Sequence, residues 1–86
     1  MNAAQKADAR TLAIIARLGY LTIWNGVPGS TAVTVASLRR LVERGDLRAE
    51  TFQDKEGREW VWLQRPDRFK LPSWATVRGK VWTGKD

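Results

Sequence analysis

The sequence predicts a small α+β domain in which helices are followed by a β-hairpin and an irregular, basic C-terminal tail. Three observations lead there. Two segments, about residues 3–18 and 35–44, carry apolar residues at helical spacing and end at glycine. Two strand-like runs, Leu47 to Phe52 and Arg58 to Gln64, flank the turn tetrapeptide Asp54-Lys55-Glu56-Gly57. Beyond Arg65 prolines, glycines and basic residues break any regular period. At 86 residues the chain has room for one core. Residues 1–64 read as its body and 65–86 as a basic, aromatic extension packed on the same domain.

In the first helix Asn2 supplies a side-chain cap, alanine is abundant, and Leu12, Ile15 and Leu18 recur on one side before Gly19. Tyr20 to Trp24 is rich in β-branched and aromatic residues and reads as a short strand. Asn25-Gly26 and Pro28-Gly29 are turn dipeptides that a helix does not comfortably cross. The next helix starts near Ala32 or Val35, capped by Thr31 or Thr34. It places Val35, Leu38, Leu41 and Val42 on one stripe, with Ala36, Ser37, Arg40 and Arg44 opposite. In the hairpin a four-residue loop pairs Gln53 with Arg58, so Leu47, Ala49 and Thr51 share a face with Trp60 and Trp62. Neither face is cleanly polar, which leaves open the side that meets the helices. A last short strand over Ala75 to Trp82 fits the alternation there, in a tail that either packs on the hairpin or serves as an arm that orders on a partner.

Composition narrows the chemistry. The chain has no cysteine and no histidine. That removes disulfides, thiolate metal sites and the commonest general base, so the reading is a non-enzymatic protein of a reducing cytoplasm with no cofactor. No apolar run reaches the roughly 20 residues of a membrane span. The net charge of +6 suits an anionic partner. It is unevenly spread: residues 34–48 carry four arginines against Glu43 and Asp46, and residues 65–86 carry six basic side chains against Asp67 and Asp86. Residues 49–64 are mildly acidic, with Lys55 and Arg58 against four carboxylates.

The run Thr34-Val-Ala-Ser-Leu-Arg-Arg-Leu-Val-Glu-Arg-Gly-Asp-Leu-Arg-Ala-Glu resembles the recognition helix, terminating glycine and first wing strand of the winged helix-turn-helix superfamily. Thr51 to Leu63 is similar to its wing, and the likeness covers about residues 10–64. The resemblance implies a winged-helix-like domain that binds double-stranded DNA, as a small transcriptional or mobile-element regulator; the small size of the chain suits a bacterial or bacteriophage source. Thr34, Ser37, Arg40 and Arg44 would face the major groove, where arginine makes paired hydrogen bonds to guanine. Arg48, Lys55 and Arg58 would flank phosphates from the strand and wing tip, and Arg78 and Lys80 in the tail would add basic contacts. The helix that normally precedes the recognition helix must be very short, displaced or missing, because Asn25 to Gly29 occupies its place. A palindromic target would call for a homodimer.

A protein–protein interaction module on the same scaffold, gripping its partner with the hairpin and the tryptophan-rich tail, is the alternative, and the acidic wing segment favours it. Single-stranded nucleic acid is a third partner class, since bases stack on aromatic rings set among basic groups. Of the five tryptophans, Trp60 and Trp62 read as hairpin packing, whereas Trp74 and Trp82 fit packing or a ligand-facing role equally.

Overall fold

Asn2 starts the first helix through its side chain, which accepts from the Gln5 backbone N–H at 2.8 Å while the Gln5 side chain accepts from the Asn2 N–H at 2.9 Å. This reciprocal box satisfies two donors that a helix end leaves orphaned. The computed structural model describes residues 1–82, with backbone alone for 77–79. Its elements are α1 (Ala3–Leu18), β1 (Leu21–Trp24), β2 (Val27–Pro28), α2 (Val35–Glu43), β3 (Arg48–Gln53), β4 (Glu59–Gln64), a 3-10 turn (Pro66–Arg68) and β5 (Thr76–Val81). The strands form one antiparallel sheet in the order β2-β1-β4-β3-β5. No helix among the described residues is long and apolar enough to cross a membrane.

Between β1 and α2 the chain makes a second hairpin in place of a helix. Trp24 pairs with Val27 across Asn25 and Gly26, whose φ angles are 52° and 77°. A two-residue turn with both φ angles positive suits the twist of the strands it joins, and asparagine and glycine enter that region at least cost. The chain then reaches α2 through turn residues, and Thr34 caps that helix by accepting from the Ser37 N–H at 3.2 Å. No helix lies between β1 and α2, and the β1–β2 hairpin stands where the resemblance would place one.

The β3–β4 register differs by one residue from the sequence reading. Gln53 pairs with Glu59, not Arg58, and Asp54 donates its N–H to the Arg58 carbonyl at 3.0 Å. The connection is thus three residues, Lys55-Glu56-Gly57, with Gly57 at φ 80°. Asp54 explains the tighter closure: its carboxylate accepts from the Glu56 and Arg58 backbone N–H groups, from Arg58 Nε and from Trp60 Nε1, at 2.8–2.9 Å. A one-residue slip exchanges the faces of a strand. Trp60 and Trp62 consequently lie with Phe52 on one side, while Ala49 and Thr51 oppose Leu63 and Val61 on the other.

The second of these sides meets the helices. Ile15, Leu21, Ile23, Val33, Leu38, Leu41, Leu47, Ala49 and Leu63 make a continuous core with Trp82. Leu38, Leu41 and Leu63 have no solvent exposure, and burial of each contributes about 1.5–3 kcal/mol. Val42 is half-buried. Part of the tail is integral to this unit. β5 pairs with β3, the Trp82 N–H donates to the Ala49 carbonyl at 3.0 Å, and its ring is 5% exposed. Trp82 is therefore a core residue.

Candidate nucleic-acid interface

The α2 arginines are organised by a carboxylate on another helix. Asp8 of α1 is 4% exposed and accepts from Arg40 Nε at 3.0 and 3.2 Å, from Arg40 Nη2 at 2.8 Å and from Arg44 Nη1 at 3.5 Å. Arg40 Nη2 also reaches Ser37 Oγ at 3.1 Å, and Arg44 pairs with Asp46. The Arg40 hydrogen bond, with help from Ser37 and Arg44, outweighs burial and holds the Asp8 carboxyl below its ordinary range. Asp8 in turn raises the Arg40 guanidinium. The Arg40 side chain nevertheless keeps 40% of its surface exposed and that of Arg44 52%. An arginine has five N–H donors, and the Arg40 Nη1 pair makes no hydrogen bond among the described residues. The arrangement is a braced guanidinium with one edge left for a ligand.

Two neighbours expected on the reading face do other work. Ser37 is 1% exposed, so it is not presented to a groove. It sits where α1 packs on α2, and a small hydroxyl there lets the Asp8–Arg40 pair close. Thr34 is exposed, but its hydroxyl caps the helix. The remaining outward positions of α2 are Ala36, Arg39 and Glu43, all exposed.

The other sequence-predicted residues fall in three places. Lys55 and Arg58 occupy the hairpin tip, where Lys55 is exposed and Arg58 pairs with Asp54 at 2.8 Å and Glu56 at 2.7 Å. Hydrogen bonds from Trp60, Arg58 and Glu56 override burial and lower Asp54 to about 2. The tip is therefore charge-neutralised from within. Arg48 pairs with Glu50 and lies 4.6 Å over the Phe69 ring, on the sheet face away from the helices. It cannot line one surface with Arg40, because the sheet lies between them. Lys80 is exposed and registers opposite Thr51, on the outer strand. Arg78 belongs to β5, and its side chain lies outside the described residues. The structure thus brings Arg40 and Arg44 together with Asp8 and leaves Arg48, Lys55, Arg58 and Lys80 dispersed.

Sequence reasoning missed an aromatic surface on the face opposite the helices. Tyr20 stacks on Trp62 at 4.5 Å with planes 4° apart, and Trp24 lies 5.9 Å from Trp60. Phe52 packs edge-on against both Trp62 and Trp74. Tyr20, Trp24 and Trp74 each keep about 45% of their surface exposed. The available signal was the alternation Tyr20, Thr22, Trp24, which a period of two sets on one face. Comparison with known protein families, curated proteins and solved structures returns no match for this chain.

Proposed function

We propose that the protein binds double-stranded DNA through the outward side of α2, in the manner implied by its resemblance to winged-helix regulators. The observation that carries this reading is the braced arginine pair. Arg40 and Arg44 stand one helical turn apart, half-exposed, and Asp8 fixes where their guanidinium groups lie. A pre-positioned guanidinium loses less side-chain freedom on meeting a phosphate or a guanine edge than a freely rotating one. The net charge of +6 supplies sequence-independent attraction. Ala36 and Arg39 are the exposed positions beside the pair, the first small and the second a further cation. The activity proposed is binding alone, in the reducing cytoplasm that fits a chain without cysteine.

The experiment is a duplex titration at several salt concentrations with the wild type and with Arg40→Ala/Arg44→Ala. Each phosphate contact removed lowers the slope of log K against log salt by about 0.9. Loss of two lowers it by about 1.8, so the affinity gap between wild type and variant narrows about tenfold from 50 to 200 mM salt. Loss of base contacts would appear instead as weaker discrimination between duplex sequences at constant slope. An unchanged slope together with unchanged sequence preference would refute the reading and favour the protein-interaction alternative.

A further inference from the structure

Immediately before Tyr20 in the chain, Gly19 helps to line a cleft of about 570 Å³ together with Ile15, Ala16, Gln64 and the cations Arg65, Arg68 and Lys70. The two are physically joined. Gly19 precedes Tyr20 in the chain, and Gln64 donates from Nε2 to the Gly19 carbonyl at 3.0 Å. The Gln64 Oε1 accepts from Trp62 Nε1 and from the Lys70 N–H, both at 2.7 Å. One amide side chain therefore ties together the end of α1, the ring that supports Tyr20 and the start of the basic tail. Trp62 covers the inner face of Tyr20 in near-parallel contact, and the tyrosine keeps 46% of its surface in solvent.

We propose that this shelf and cleft bind an unpaired nucleotide of a single-stranded nucleic acid, with its base stacked on Tyr20 and its phosphate among Arg65, Arg68 and Lys70. Stacking requires a flat ring already held in place, and the Trp62 contact provides it. The phosphate requires cations at the edge of that ring. The cleft lining itself holds three basic residues and no acid; Asp67 engages Arg65 at 3.3 Å, and Glu50, across from Trp62, is paired with Arg48. The opposite end of the aromatic face is different: there Arg58 is paired with Asp54 and Glu56, and Lys55 lies beside them. The charge balance thus assigns the backbone to the Tyr20 end, and the following bases run toward Trp24. Tyr20 and Trp24 are four residues apart on an extended chain, about 13 Å, which suits a site on the order of four nucleotides. This site lies on the sheet face and at the end of α1, and it is independent of the α2 reading.

The test is fluorescence anisotropy of labelled oligothymidine octamer with the full chain, competed by an abasic octamer, by thymidine monophosphate and by random duplex. Oligothymidine should bind well ahead of the abasic strand and the mononucleotide. Tyr20→Ala should weaken it by about fivefold to a hundredfold, since a base–aromatic stack is worth about 1–3 kcal/mol, while Tyr20→Phe retains it. Arg68→Ala/Lys70→Ala should lower the single-strand salt slope by about 1.4. Neither set should change discrimination between duplex sequences, whereas Arg40→Ala/Arg44→Ala should change that discrimination and leave the preference for thymidine over abasic strand intact, so failure of one site is distinguishable from failure of the other. Equal affinity for the abasic and thymidine strands would overturn the proposal, as would tighter binding of the mononucleotide. Unchanged octamer affinity in folded Tyr20→Ala, with the aromatic face instead capturing a protein, would also overturn it.

Discussion

Replacing Asp8 by asparagine separates the two roles of the interhelical ion pair. The side chain keeps its shape and one acceptor oxygen but loses its charge and the other oxygen, so Arg40 and Arg44 lose the ion pair that holds them. A hydrogen bond to a charged group contributes about 1.5–3 kcal/mol, and breaking a fully buried ion pair costs about 3–5 kcal/mol. Here only the carboxylate is buried. Both arginines retain about half of their surface in water and rehydrate on release, so no buried charge is stranded. The expected loss for Asp8→Asn is therefore about 1–2 kcal/mol, near the lower limit. For a domain of this size that lowers Tm by roughly 5–15 °C in a thermal melt followed by circular dichroism. The pH dependence has a definite sign. Because the folded Asp8 carboxyl lies below its ordinary value, its stabilisation is present above about pH 4 and is lost as pH falls through the folded value. The wild-type advantage should accordingly be full at pH 7 and vanish in acid. In a duplex titration the variant gains one net positive charge, so sequence-blind affinity should hold or rise while discrimination between duplexes declines. A Tm within about 1 °C of wild type at pH 7 would show that the pair is not a clamp, and intact discrimination would show that Arg40 placement is immaterial to recognition.

Three further outcomes follow from the geometry. Leu41→Ala empties a site with no solvent exposure and should cost about 2–5 kcal/mol in urea unfolding, a large share of the total stability of a domain this small. Asp54→Asn should loosen the β3–β4 turn near neutral pH. Its effect should fade between about pH 4 and pH 2, because the Asp54 carboxyl is lowered to about 2 and its contribution disappears as it protonates; amide exchange at Glu56 and Arg58 reads this directly. Truncation after Arg65 should unfold the domain as well as weaken polyanion binding, since it removes the buried Trp82 and the strand beside β3; a folded truncated chain with native polyanion affinity would show both contributions to be incidental.

How much was legible in the sequence depended on the range of the interactions involved. Helix α1 was readable to its ends because Asn2 and Gly19 act within a turn of where they stand. The apolar stripe of α2 was local in the same sense, while its cap was narrowed only to Thr31 or Thr34, of which Thr34 is the one used. The hairpin was legible in kind, but its register was not. Whether three or four residues close it is decided by the Asp54 carboxylate, which reaches Arg58 and Trp60 as well as the turn amides, and that one-residue difference moved Trp60 and Trp62 to the other face. For the candidate sites the division is sharper. The sequence by itself determined that α2 sets arginines opposite an aliphatic stripe and that a basic, aromatic tail follows the hairpin. Only tertiary structure decided that Asp8, 32 residues before Arg40, would become its partner. It likewise decided that Ser37 would be sealed between helices, that Trp82 would enter the core and that Tyr20 would lie flat on Trp62. The physical reason is common to all four. Helical periodicity and capping are set by neighbours along the chain, whereas the partner of a charge or a ring is set by which elements pack together, and that depends on the burial of the whole core.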